Sequence, residues 1–246
     1  MMDNFIYDGS FTGFLNLIYQ VFKKKNIPAQ IIRGKEAQLN LIYNNITIKS
    51  DEEKADQVTE AIIAEISHKA YRTLYRAFLS EIEGVERAAI FYLQKGFKRG
   101  SSYLNSWADE EVVFINQAAK KVNREVHRFK GLLRFRMLQE KILYAPFKPD
   151  YNISFPVAQH FKNRLAGERW VIHDKKRNTA VIYQEDELLI VPGEELAEIK
   201  FAEEEELYQS LWQEFFNNIS IEKRKNLKLQ KSFMPQKYWE YLVEKK

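Results

Sequence analysis

The sequence predicts an α+β protein: a helix-rich N-terminal lobe followed by an antiparallel sheet of about five strands packed with helices. Three observations predict it. Up to about residue 130, apolar positions recur every three or four residues, the helical period. Beyond Gly131 the pattern shortens, and "LLRFRML", "KILYAPF", "ERWVIHD", "NTAVIYQ" and "ELLIVP" read as strands joined by polar connections such as "QE", "KKR" and "ED". Gly and Pro are scarce, 9 and 6 in 246 residues, which leaves little material for flexible linkers. Residues 1–100 read as a helix-rich lobe with a few strands and residues 101–246 as an α+β lobe, which together can form one compact unit.

Taken in order, "NFIYD" reads as a short strand with Asp8-Gly9-Ser10 as its turn. "SFTGFLNLIYQVFKKK" reads as a helix capped by Ser10. Its Phe11, Phe14, Leu15, Ile18 and Phe22 keep helical spacing, and its closing lysines suit the C-terminal dipole. "AQIIRG" and "NNITIKS" suit short strands. "SDEEKADQVTEAIIAEIS" opens with a cap and an acidic first turn, and carries Val58, Ile62, Ile63 and Ile66 on one side. "KAYRTLYRAFLSEI" and "GVERAAIFYLQKGFKRG" continue the helical pattern. "DEEVVFINQAAKKVNREVHRFKG" has an acidic start and a basic end, with Gly131 placed as a C-terminal cap. The strands then form two hairpin-like groups, with a short helix over residues 155–166 on one face. Glu203–Glu206 open another helix, and Pro235 opens a last one carrying Tyr238, Trp239 and Leu242.

Composition narrows the chemistry. Cysteine is absent, so disulfides, thiol nucleophiles, cysteine zinc sites and cysteine-held iron–sulfur clusters are excluded. No apolar run reaches the ~18 residues of a membrane span. "MMDNFIYDGSF" lacks the charged front and apolar stretch of a signal peptide, so a cytoplasmic location without a membrane partner is the default expectation. The net charge of +4 permits a polyanionic partner without demanding one, so clustering matters more than the total.

Two basic clusters stand out. On a helical wheel Lys120, Lys121, Arg124, His127 and Arg128 fall within roughly a 120° arc, opposite Ile115, Ala119, Val122 and Val126. Lys130, Arg134 and Arg136 carry the charge into the first strand of the sheet. Such a stripe is either a solvated helix back or a phosphate-contacting face. The second cluster, "EKRKNLKLQK", holds Arg224, Lys225, Asn226 and Gln230 and precedes Tyr238 and Trp239. Basic residues near aromatics suit single-stranded nucleic acid, although docking of the last helix on the core through Trp239 and Leu242 is the favoured reading of the aromatics. Arg177 adds a cation in "HDKKRN".

Catalytic candidates are few. His173-Asp174 at a strand end is conceivable as a base oriented by a carboxylate, although a turn-forming Asp is commoner. His127 sits in the basic stripe. No histidine spacing matches a metal motif, so no metal ligand is assigned. Pro149-Asp150 and Glu198–Lys200 superficially match a metal-dependent nuclease signature, but the gap is long and the pattern short. Walker, GxGxxG and GxSxG loops are absent, and no cofactor is indicated.

At "YDGSFTGFL", "REVHRFKGLLRF", "HFKNRL", "WVIHDKKRNTAVIY", "LWQEFF" and "RKNLKLQKSFMPQKYWEYL" the chain resembles a bacterial family assigned to DNA metabolism and DNA repair. These stretches span nearly the whole sequence. The resemblance implies a role beside a radical SAM protein encoded nearby, which acts in DNA modification or repair. In some relatives a uracil-DNA glycosylase-like domain follows this region. The present sequence stops after "YWEYLVEKK", so that domain is not expected in it, and without cysteines any radical chemistry is expected of the partner. The motif positions carried over are His127, Arg128, Gly131, Arg134, Phe135, His160, Arg164, Trp170, Asp174, Arg177, Arg224, Asn226, Gln230, Pro235 and Trp239. The leading expectation is an accessory protein that binds DNA, single- or double-stranded, together with the radical SAM partner. The alternatives are an enzyme acting on DNA by base excision or phosphodiester hydrolysis through His127, His173 or Asp174, and a protein–protein interaction module.

Overall fold

The computed structural model describes residues 3–34, 44–219 and 226–245. The chain divides into two compact units, Met1–Val122 and Asn123–Lys246.

In the first unit, β1 (Asp3–Tyr7) lies between β2 (Gln30–Arg33) and β3 (Asn44–Thr47), parallel to both. Parallel pairing with β2 requires a crossover, which α1 (Phe11–Lys24) supplies. Ser10 caps α1 as expected, its Oγ accepting the Gly13 N–H at 2.9 Å. Asp8 braces the same turn by accepting from Ser10 and Ser50. A Cβ on Gly13 would lie 2.2 Å from Asp8 Oδ1, so only glycine leaves room for that carboxylate. α2 (Glu52–Ala61) starts at the Asp51 cap and passes into a π-helical turn over Ile62–Ile66. α3 (His68–Phe78) and α4 (Val85–Arg99) follow. Phe5, Tyr7, Phe14, Leu17, Ile62, Leu74, Ile90 and Leu93 form the core. α5 (Glu110–Leu132) contributes residues to both units.

The second unit contains the five-stranded sheet, ordered β4 (Arg136–Met137), β5 (Leu143–Phe147), β6 (Trp170–Asp174), β7 (Thr179–Gln184) and β8 (Glu187–Pro192). Three of its pairings are antiparallel, but β5 and β6 are parallel, because α6 (Ser154–Arg164) crosses over between them. The β7–β8 turn is Glu185-Asp186, both with positive φ (52° and 62°), the conformation that matches strand twist in a two-residue hairpin. β6 is buried along its whole length, as a central strand should be. On one sheet face Tyr144, Val171 and Ala180 pack beneath Leu196 and Ile199. Elsewhere Phe135 lies edge-on to Phe161 and Trp170, and Phe129 packs on Phe147 and Tyr238. α7 (Glu205–Ile219) and α8 (Leu227–Phe233) follow, then a 3₁₀ segment over Gln236–Tyr241.

Three local expectations change. Gly131 is not a left-handed cap. It lies inside the last turn of α5, which runs to Leu132, and the Leu133 N–H still bonds to the Phe129 carbonyl. "LLRFRML" is strand only at Arg136–Met137, and Leu133–Phe135 form a connector. The expected last helix after Pro235 is a 3₁₀ segment, with Tyr238 and Leu242 buried and Trp239 half-buried.

Candidate nucleic-acid interface

The α5 stripe has the predicted polarity. Ile115, Ala119, Val122 and Val126 are buried, whereas Lys120, Lys121, Arg124 and His127 are exposed and form no ion pair with any described carboxylate. Lys120 and Lys121 belong to the first unit, and Arg124 onward to the second. Arg128 and Lys130 are half-buried. Glu125 interrupts the charge sequence without weakening the stripe, because it points inward. Its buried carboxylate accepts the Asp150 and Tyr151 N–H groups at 2.8 and 2.9 Å and the Tyr238 hydroxyl at 2.7 Å. Burial, helped by that hydrogen bond, pushes the Tyr238 phenol far above its ordinary range, so it remains a donor.

Where α5 ends, a groove of about 500 Å³ opens in the second unit, lined by Lys130, Gly131, Arg134, Phe135, Phe161, Arg164, Glu205, Tyr208 and Trp212 among others. Lys130 comes from α5, Arg164 from the end of α6, and Tyr208 and Trp212 from adjacent turns of α7. His160, in the same helix as Arg164, is not a lining residue; burial, and then the charges of Lys130 and Arg164, lower its proton affinity. Glu205 is buried and accepts the Met137 N–H at 2.7 Å and a Gln209 amide hydrogen at 2.8 Å.

Arg134 belongs to the wall of this groove. Its guanidinium grips Glu244 at two points, 2.5 and 3.1 Å, and donates to the Gly131 and Leu133 carbonyls. Glu244 also accepts the Trp212 indole N–H at 3.1 Å, and the Arg134 guanidinium lies 5.5 Å from the Trp212 ring. Charge and aromatic ring are thus fixed together by one buried carboxylate.

Other sequence candidates have structural partners. Arg136 is half-buried with its guanidinium 5.8 Å from the Phe201 ring. Arg177 pairs with buried Asp174 at 3.0 Å and donates to the Asp150 carbonyl at 2.9 Å. Asn226 caps α8, accepting the Leu229 N–H at 3.0 Å, and Gln230 sits half-buried in that helix. Arg224 and Lys225 lie outside the described residues.

The catalytic candidates are not brought together. His173 and Asp174 are neighbours on β6, and successive strand residues face opposite sides of a sheet. Asp174 accepts the backbone N–H groups of Lys176 and Arg177, the arrangement of a turn-forming Asp. His173 has both ring nitrogens engaged, Nδ1 at 2.9 Å from the Tyr144 hydroxyl and Nε2 at 3.4 Å from Asn178 Oδ1. Asn178 donates onward to Glu194, which fixes its oxygen toward the imidazole, so Nε2 carries the proton. Burial, with Lys175 adding to it, holds the imidazole below its ordinary value of 6.5, and hence neutral. His127 lies on the exposed face of α5 with no carboxylate partner among the described residues.

Sequence reasoning had named Lys130 and Arg134 as charges and Arg164 and His160 only as motif positions. It had missed Tyr208 and Trp212 as site residues. The available signal was their i, i+4 spacing on α7 beside the "HFKNRL" cations.

Fold and surface together define a two-unit α+β protein whose second unit carries a cationic groove edged with aromatic rings. Among the described residues no helix is long and apolar enough to cross a membrane. Residues 83–244 match the family model described as a domain of unknown function, DUF4130, and the chain belongs to that family. No curated protein and no solved structure matches it.

Proposed function

We propose that this protein is a DNA repair or modification accessory protein, which binds DNA through the outer face of α5 and the groove at its end and acts with a radical SAM partner. The observation that carries the DNA-binding half is that three cations of this surface, two exposed and one half-buried, are uncommitted. Arg124, Lys130 and Arg164 form no ion pair with a described carboxylate, whereas Arg134 and Arg177 are held by Glu244 and Asp174. Cations free of carboxylates are those available to neutralise phosphates and release counterions. Contacts of this kind position a strand without reading its sequence, which suits an accessory role.

The partner half rests on the family resemblance and on α7. Leu207, Leu211, Phe215 and Ile219 recur along that helix, each more than half exposed. A contiguous exposed apolar stripe marks a surface that another protein covers. The DNA-processing enzyme is the weaker reading, because His173 and Asp174 are buried, occupied and on opposite sheet faces.

Equilibrium binding of labelled DNA by the purified chain, followed by co-purification with the radical SAM protein, tests the proposal. Binding should be present at low salt, should weaken steeply as salt rises, and should fall when Arg124 and Lys130 are replaced by Ala. Absence of binding at low salt overturns the DNA-binding half, and failure of the two proteins to associate overturns the partner half.

A further inference from the structure

Resting on that DNA-binding reading, we infer that the groove at the end of α5 takes an unpaired nucleotide of a DNA strand, so that the protein prefers single-stranded or gapped DNA to a fully paired duplex. Two kinds of chemistry meet in this one groove. The first is uncommitted positive charge from Lys130 and Arg164. The second is aromatic surface. Tyr208 is 59% exposed and Trp212 40% exposed, one helical turn apart. An acidic peptide would use the cations and leave the rings idle, whereas an apolar peptide would cover the rings and desolvate unpaired charges. A nucleotide uses both, with its phosphate on the cations and its base against a ring.

Volume and rigidity agree. The groove measures about 500 Å³, within the range of sites that enclose small organic ligands. Trp212 is already ordered, its indole N–H held by Glu244, so little side-chain entropy is lost on binding. Glu205, the carboxylate among the groove residues named above, is turned inward onto Met137 N–H and Gln209 rather than toward a phosphate. A base within a duplex has both faces covered by its neighbours and cannot reach the rings, whereas an unpaired base presents a free π-face.

The test is fluorescence anisotropy of the full chain with labelled oligothymidylate, a blunt duplex, and the same duplex carrying a short single-stranded gap. Three variants accompany it. Tyr208→Ala removes a ring whose side chain makes no hydrogen bond to a described residue. Trp212→Phe keeps a ring in place. Gly131→Glu places a carboxylate in the groove wall where an added Cβ meets nothing within 4 Å. The single strand and the gapped duplex should bind more tightly than the blunt duplex. Tyr208→Ala should weaken single-strand binding about five- to 150-fold and leave duplex binding unchanged, the range expected for loss of one stacked base. Gly131→Glu should weaken it too, and Trp212→Phe should retain most of it. If the blunt duplex binds as well as the single strand, or Tyr208→Ala and Gly131→Glu leave single-strand affinity intact, the groove is not the site even though DNA binding stands. If no DNA binds, the functional reading fails and this inference falls with it.

Discussion

Glu244 offers the most direct test of how the groove is held. Its side chain is 1% exposed, and its carboxylate meets the Arg134 guanidinium at 2.5 and 3.1 Å and the Trp212 indole N–H at 3.1 Å. Burial alone would raise its proton affinity, but the hydrogen bond and charge of Arg134, with a backbone N–H and the Trp212 indole, together outweigh burial and hold the carboxyl below its ordinary value of 4.5. Removing one partner of a buried ion pair costs about 3–5 kcal/mol, since the other charge is left without compensation. Arg134→Ala leaves the carboxylate without its counter-charge and should approach that cost. Glu244→Gln keeps the shape and an acceptor but loses the charge, and Arg134, 21% exposed, can recruit water, so about 2 kcal/mol is expected. At a urea-unfolding slope of ~2 kcal/mol per molar, Glu244→Gln should lower the midpoint by roughly 1 M and Arg134→Ala by roughly 1.5–2.5 M. Near-UV circular dichroism should report it, with the double variant costing less than the sum of the singles. The sign with pH follows from the depressed carboxyl. The clasp contributes fully above about pH 4.5 and is lost as pH falls through the folded-state value, and Glu244→Gln removes that component. Midpoints of both single variants indistinguishable from wild type would refute the clasp.

Other predictions follow from the same geometry. Gly131 lies in helical conformation with open space at its Cβ position, so Gly131→Ala should stabilise the second unit by roughly 0.5–1 kcal/mol, read as a raised urea midpoint. A true left-handed cap would make the same change destabilising. His173 is held neutral below its ordinary value of 6.5, so its environment stabilises the fold fully above about pH 6.5, and this contribution is lost as pH falls through the folded-state value. His173→Asn should flatten the dependence of stability on pH between about pH 7 and 5, read as urea midpoints across that range. An unchanged slope would show that His173 titrates alike in the folded and unfolded chain.

The helices and the β6–β8 meander were legible because local periodicity and polar connections specify them, and the Ser10 cap was written in "YDGSF". The parallel β5–β6 pairing was not read, although a strand–helix–strand succession implies it once α6 is recognised as the crossover. Arg134 looked like a strand residue in the basic run. Its true partner, Glu244, lies 110 residues further along the chain, and no local pattern announces such a contact. Gly131 misled because a glycine near a helix end commonly caps it, while here the backbone continues through it. Tyr208 and Trp212 were given no role in the sequence beyond their place in the helix opened by Glu203–Glu206, and only the fold shows that they face solvent.

The central claim is that the uncommitted cations of the second unit contact DNA phosphates. The measurement that tests it most directly is the dependence of DNA affinity on salt for the wild type and for the Arg124→Ala, Lys130→Ala, Arg164→Ala triple variant. Each neutralised phosphate contributes about 0.7 to the logarithmic salt slope on a single strand. The variant should therefore lose roughly two units of slope along with most of its affinity at low salt. An unchanged slope and affinity, with the variant folded, would show that these residues are solvated surface and would contradict the account.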